Sequence, residues 1–256
     1  MIHSFVSLAF IFFPSVWAAP PSPTPAPLPI AFSLEAVHQA EKVFFEAVQA
    51  YEQVEDYTAT FLKQERIRKK LKKEEVIELK FQKPFRVYMN WIDSPDKGME
   101  IIYKEGENKN QITGHLGGFL NAVTPTVNME IRDKLATRNN RHLITETGMG
   151  EFLKKYEVDF KKAKERQEIQ IAVSGGHKLF DRKVTRVEAL LPKKPDNGYY
   201  CYRSVVFFDA QSKLPIQMEF YDDADQLIEK YAYKNLEVNV GLQSIDFDPD
   251  NEAYHF

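Results

Sequence analysis

The sequence is poor in the residues that usually announce chemistry. Of its 256 residues one is a cysteine, Cys201, which excludes an intramolecular disulfide framework and any metal site built on clustered thiolates. Crowded by Tyr199, Tyr200 and Tyr202, that thiol reads as buried. An excess of either charge is also missing: the formal net charge is −3, which argues against a general nucleic-acid binder while leaving room for a local basic patch. No G-x-S-x-G, H-E-x-x-H or glycine-rich phosphate loop is present. His115, beside Gly114 and near Gly117 and Gly118, is the best acid–base candidate, yet no such motif accompanies it, and His38, His142, His177 and His255 are scattered. Asp246, Asp248 and Asp250 have the spacing of a calcium loop, but Asn251 stands where that loop needs glycine. The expectation is a protein that is not an enzyme and that needs no metal and no cofactor.

Long apolar runs are scarce as well. The run Phe5 to Phe13 is too short to span a bilayer, which needs about 20 residues. Followed by Val16-Trp17-Ala18, it reads as a secretory signal over residues 1–18. No cysteine lies near the cleavage point to take a lipid. Pro20 to Pro29 has proline at nearly every second position, so residues 19–32 read as an extended spacer. Residues 33–256 are long enough for one large domain.

What is present is alternation. Tyr57, Ala59 and Phe61 alternate with Thr58 and Thr60; Ile77, Leu79 and Phe81 follow the same rule, as do Phe85, Val87, Met89 and Trp91 beyond Pro84. Later stretches repeat the pattern: Ile169 to Val173, a turn at Ser174-Gly175-Gly176, Val184 to Leu191, Tyr199 to Phe208, Leu214 to Phe220 and Leu227 to Leu236. Short turns between them predict an antiparallel meander. Ser33 can cap a helix in which Leu34, Val37, Phe44, Val48, Tyr51 and Val54 recur at helical spacing, with Phe45 and Ala47 widening the stripe. The region 114–166 breaks the strand rhythm, with helices expected at Met129 to Leu135 and Gly150 to Arg166. The fold class is therefore α+β: a curved antiparallel sheet with helices covering its concave side and a helical insertion at 114–166.

Several of these stretches resemble a known family. Y-T-A-T-F-L-K-Q from Tyr57, the Leu79, Lys83-Pro84 and Trp91 pattern, M-E-I-I-Y-K-E-G-E-N-K from Met99, L-P-I-Q-M-E-F-Y-D-D from Leu214 and D-F-D-P-D from Asp246 resemble the LolA-like lipoprotein carriers of the bacterial periplasm. The closer resemblance is to a branch recorded only as a domain of unknown function. The resemblance implies an unclosed β-barrel around an apolar cavity that holds acyl chains. It further implies an exported, periplasmic carrier or chaperone in envelope biogenesis, whose partners are a lipid or the acyl chains of a lipoprotein and an envelope donor or acceptor protein. A monomer is expected. Lys83 occupies the place where the carriers have a basic residue that regulates the lid; a lysine keeps the charge but loses the planar fork of arginine. The insertion at 114–166 departs from the carriers. The alternative is an envelope protein-interaction or stress-sensing module on the same scaffold with a filled core.

Two sets of candidate residues follow. Phe61, Phe85, Val87, Met89, Trp91, Ile216, Met218 and Phe220 are candidates for a cavity lining, the methionines suiting varied apolar ligands. Such stripes are equally the ordinary core of a sheet packed on helices. Arg66, Arg68, Lys69, Lys70, Lys72 and Lys73, with Lys63 before them, are candidates for docking on anionic lipid headgroups or an acidic partner. A solvated hairpin tip flanked by Glu65, Glu74 and Glu75 accounts for the same run.

Overall fold

Ser33 accepts a hydrogen bond from the Ala36 N–H at 3.3 Å and starts helix α1, Leu34–Glu52. Its apolar spacing buries Val37, Ala40, Phe44 and Ala47. Phe45 stays 60 % exposed and does not widen the buried stripe. The computed structural model describes residues 33–93, 96–117, 126–193 and 198–256. The expected signal (1–18) and spacer (19–32), together with Ser94, Pro95 and Gly118, lie outside the described residues.

Among the described residues, twelve strands form one antiparallel sheet. They are β1 (Asp56–Ile67), β2 (Lys70–Leu71), β3 (Glu75–Gln82), β4 (Arg86–Asp93), β5 (Glu100–Lys104), β6 (Gln111–His115) and β7 (Val127–Glu130). After the second helical region come β8 (Gln170–Leu179), β9 (Arg182–Leu190), β10 (Arg203–Asp209), β11 (Pro215–Tyr221) and β12 (Leu227–Val238). The order is β7-β6-β5-β4-β3-β1-β12-β11-β10-β9-β8, with β2 hairpinned onto the end of β1. The first long strand thus pairs with the last, at the middle of the sheet. β7 and β8 sit at opposite ends and do not pair, so the curved sheet remains an unclosed barrel. This is the architecture that the LolA resemblance implied.

Period-two alternation decides which side chains face inward. In register, Phe61 lies beside Ile77 and Tyr233, Leu79 beside Met89, and Ile77 beside Trp91. Tyr57 stacks on Phe81 at 4.9 Å, extending the same face. Lys63 and Glu65 follow Phe61 at the same parity, so the inner face turns ionic towards the β2 end of β1.

Two local readings of the sequence change. The helix expected at Met129 to Leu135 is instead the end of β7, a turn, and α2 (Lys134–Thr137), whose start is capped by Asp133. Met129 pairs with Ile112 across the β6–β7 ladder, and that pairing overrides helical spacing. The insertion is therefore partly strand, with one long helix, α3 (Met149–Glu165). Ser174 to Gly176 is a bulge inside β8; the hairpin turns at Phe180-Asp181, with φ of 50° and 62°. The strand expected from Tyr199 begins at Arg203.

The C-terminal segment straps across the outer face, where Tyr254 stacks on Tyr88 at 4.0 Å and Phe247 is fully buried. Asp246 is engaged by Lys80 at 2.7 Å.

Candidate ligand-binding cavity

Between the concave face, α3 and the segment after α2 lies a cavity of about 1140 Å³. The sheet contributes Phe61, Met89, Trp91, Ile101 and Ile112 on one side and Met218, Phe220, Tyr231 and Tyr233 on the other. Helix α3 adds Phe152, Tyr156 and Phe160, and it is braced from behind by Phe44 of α1, whose ring lies 5.6 Å from that of Tyr156. Four of the chain's six methionines, Met89, Met99, Met129 and Met218, are in the lining. Flexible thioethers let such a wall adapt to different apolar shapes.

The start of α3 fits closely against the sheet. A Cβ on Gly148 (φ +104°) would meet the Tyr57 hydroxyl at 3.1 Å, and one on Gly150 would meet the Tyr51 ring at 2.5 Å. From Ile131 to Thr147 no residue is buried, although ten of them, including Leu135, Asn140, His142 and Ile144, line the cavity. This roof has one side on the cavity and the other in solvent.

Polar contacts hold the roof to the ionic end of the sheet. Lys63 Nζ donates to Asn140 Oδ1 at 2.6 Å and to Glu75 Oε2 at 3.3 Å, and the Trp91 indole donates to the same carboxylate oxygen at 2.7 Å. Glu65 accepts from the Arg141 N–H at 3.0 Å and from the Tyr231 hydroxyl. Glu229 receives Arg141 Nε at 3.0 Å and His142 Nε2 at 3.0 Å. Burial opposes protonation of His142, but its hydrogen bond to Glu229 and that carboxylate's charge outweigh burial and raise the imidazole above its ordinary value. For Glu229, burial pushes upward while the bonds and charges of His142, Tyr200 and Arg141 hold the carboxyl lower than usual. A charged pair so embedded is consistent with two opposing desolvation penalties overcome by mutual bonding.

The family described as "Protein of unknown function (DUF1571)" matches residues 54–256. The chain belongs to this family. No curated protein matches it. Among solved structures it is similar to a LolA superfamily protein from Nitrosomonas europaea, at 8 % identity over 82 % of this chain and 97 % of that one, TM-score 0.37. It is also similar to the Mycobacterium tuberculosis lipoprotein LppX, at 9 % identity over 84 % and 100 % of the two chains, TM-score 0.46. A third likeness is to the Pseudomonas aeruginosa MucA/MucB complex, at 10 % identity over 82 % of this chain, TM-score 0.44; it spans 60 % of the chain matched there. At these identities and scores the likenesses carry no functional argument.

Within the DUF1571 domain, five of the eight candidate lining residues, Phe61, Met89, Trp91, Met218 and Phe220, face the cavity. Val87 and Ile216 are fully buried outside the lining, and Phe85 packs edge-on against Phe81 and Tyr103. The sequence did not signal Arg141, nor the meeting of His142 with Glu229. Glu229 shares inward parity with Tyr231 and Tyr233, which was legible; the roof residues that meet it were not. Lys83 Nζ donates to the Tyr51 carbonyl at 2.7 Å and sits 4.3 Å from the Tyr51 ring centroid. It supplies the positive charge that the last turn of α1 lacks.

Of the basic residues, Lys63 is only 8 % exposed and belongs to the cavity wall. Arg66 donates from Nε to the Leu227 carbonyl at 2.8 Å, turned towards β12. Arg68, Lys69, Lys70 and Lys73 are exposed and Lys72 is half-buried. Cys201 lines the cavity, and burial pushes its thiol up to about 12. His115 is buried in the wall. Among the described residues, no group of three His, Cys, Asp or Glu side chains is placed to hold a metal. No helix among them is long and apolar enough to cross a membrane.

Proposed function

We propose that this DUF1571 protein is a non-catalytic, exported lipid-binding protein that holds acyl chains of a lipid or lipoprotein in the cavity under α3 and carries or chaperones them within the envelope. The observation that carries the reading is the cavity itself: about 1140 Å³, walled by methionine and aromatic side chains and roofed by a segment without a buried residue. At roughly 30 Å³ for a methylene-sized group, a sixteen-carbon chain fills about 500 Å³, so two chains fit. Burial contributes about 0.8 kcal/mol per methylene, on the order of 12 kcal/mol for one such chain before ordering costs. Release then requires the site to open, and the roof, tied down by polar contacts, is the part built to do so. Irregular segments with few buried apolar contacts open at low free energy.

The alternative, an interaction module with a filled core, needs Trp91 and Met218 packed against other side chains. Both line the cavity, which speaks against it. Native mass spectrometry of protein purified from its own host, together with uptake of a fluorescent fatty acid, tests the proposal. Co-purifying lipid and saturable uptake are expected; a bare protein that takes up nothing contradicts it.

A further inference from the structure

The β1–β2 hairpin carries a charge cluster that the cavity does not use. Its two-residue turn is Arg68-Lys69, followed at once by Lys70, Lys72 and Lys73. A self-neutralised, solvated tip would need the neighbouring carboxylates, and each is engaged elsewhere. Glu65 is bonded by Tyr231 and the Arg141 N–H, Glu74 by Lys230 at 3.0 Å, and Glu75 by Trp91 and Lys63. Among the described residues, none of the five cations at the tip forms an ion pair, whereas Lys80, Lys104, Lys155 and Lys230 all do.

The backbone adds a second observation. Arg68 and Lys69 take φ of 49° and 68°, the left-handed region in which asparagine and glycine are at ease and long side chains are strained. The tip therefore carries basic side chains at two positions where the turn alone would be better served without them. Leu71, 36 % exposed, lies between Lys70 and Lys72.

We propose that this hairpin docks the protein on an anionic membrane surface. Clustered basic residues beside a leaflet of anionic lipid each strengthen binding by about fivefold. Four of the five cations are lysines, point charges suited to a diffuse field of headgroups, whereas recognition of individual carboxylates on a protein favours the arginine fork. The tip is also joined to the site. Lys63 and Glu65 of the same strand wall the cavity, and Arg141 of the roof donates to the Arg66 carbonyl at 3.2 Å. Docking thus sets the ionic rim and the roof of the cavity against the bilayer, a consequence that rests on the cavity being the lipid site.

The test is co-sedimentation of the full chain with vesicles of phosphatidylcholine alone and vesicles containing phosphatidylglycerol, with fluorescent fatty-acid uptake read in parallel. Binding to the anionic vesicles alone is expected, weakening as salt rises. The combined variant Lys69→Ala, Lys70→Ala and Lys73→Ala should bind them roughly a hundredfold more weakly and retain its uptake in solution. Equal binding to both vesicles, no binding to the anionic ones, or an unchanged variant overturns the proposal. So does binding to polyglutamate without binding to vesicles, which transfers the hairpin to an acidic protein partner. Vesicle binding that fails in the variant, in a protein without fatty-acid uptake, upholds the docking and removes the cavity reading instead.

Discussion

Strand β1 is two structures in one. From Tyr57 to Phe61 its inward residues are aromatic or apolar, all buried, and its rings pack against those of Phe81 and Tyr233. Its next two inward residues, Lys63 and Glu65, are charged, and what lies over them is an irregular roof held by hydrogen bonds and ion pairs. Apolar packing of the first kind cannot separate without exposing large surfaces to water. Polar contacts of the second kind can be exchanged for water at modest net cost. The contrast predicts a domain that is rigid at its α1 end and opens at its roof.

Several substitutions sharpen or break that contrast. The largest effect is expected in the rigid half: Leu79→Ala, at a fully buried position, should lower stability by about 2–5 kcal/mol, read from urea unfolding, with no gain in ligand exchange beyond that global loss. Glu229→Gln comes next. It leaves Arg141 and His142 facing a neutral partner and should cost on the order of 3 kcal/mol, concentrated in the roof. Hydrogen exchange of residues 131–147 should accelerate selectively, and lipid off-rates should rise; uniform acceleration across the domain would break the comparison.

Acidity should move the roof as well. The raised His142 contributes its full stabilisation below its unfolded value near 6.5 and loses it as pH climbs through the higher folded value. The lowered Glu229 contributes above its unfolded value near 4.5 and loses that contribution as pH falls through its lower folded value. Glu65, Glu146, Lys155, Arg141, Tyr200 and Tyr231 share the surroundings of this pair and set its field. Roof protection should therefore be greatest between about 4.5 and 6.5 and decline on the alkaline side. His142→Gln should abolish the alkaline decline, and a profile unchanged by that substitution would show that other groups hold the roof.

The smallest effect is expected at Lys83. It caps α1 and makes no contact with the roof, so Lys83→Ala should cost less than about 1 kcal/mol and leave lipid exchange nearly unaltered. A large rise in exchange would move the latch from the roof to the β3–β4 turn.

The alternation of Tyr57 to Trp91 and Leu214 to Phe220 made the sheet and five residues of its cavity lining legible in the sequence, while its unclosed form came from the resemblance to the carriers. Alternation states which side chains share a face, and it does so without knowing what the face meets. Met129 misled because its strand is defined by pairing with Ile112 rather than by its own neighbours. Arg141 and His142 were illegible for the same reason: they are loop residues whose role exists only once Glu229 lies opposite them. Val87 and Ile216 share the periodicity of Met89 and Met218, and nothing local separates packed core from cavity wall.

Trp91 offers the most direct test. With Trp17→Phe it is the sole tryptophan in the chain, and it lines the cavity. Brominated fatty acid bound there should quench its fluorescence saturably, and Met218→Arg, which places a charge in the same wall, should abolish the quenching while the fold is retained. Saturable binding without quenching, or quenching that survives Met218→Arg, would contradict the cavity as the lipid site.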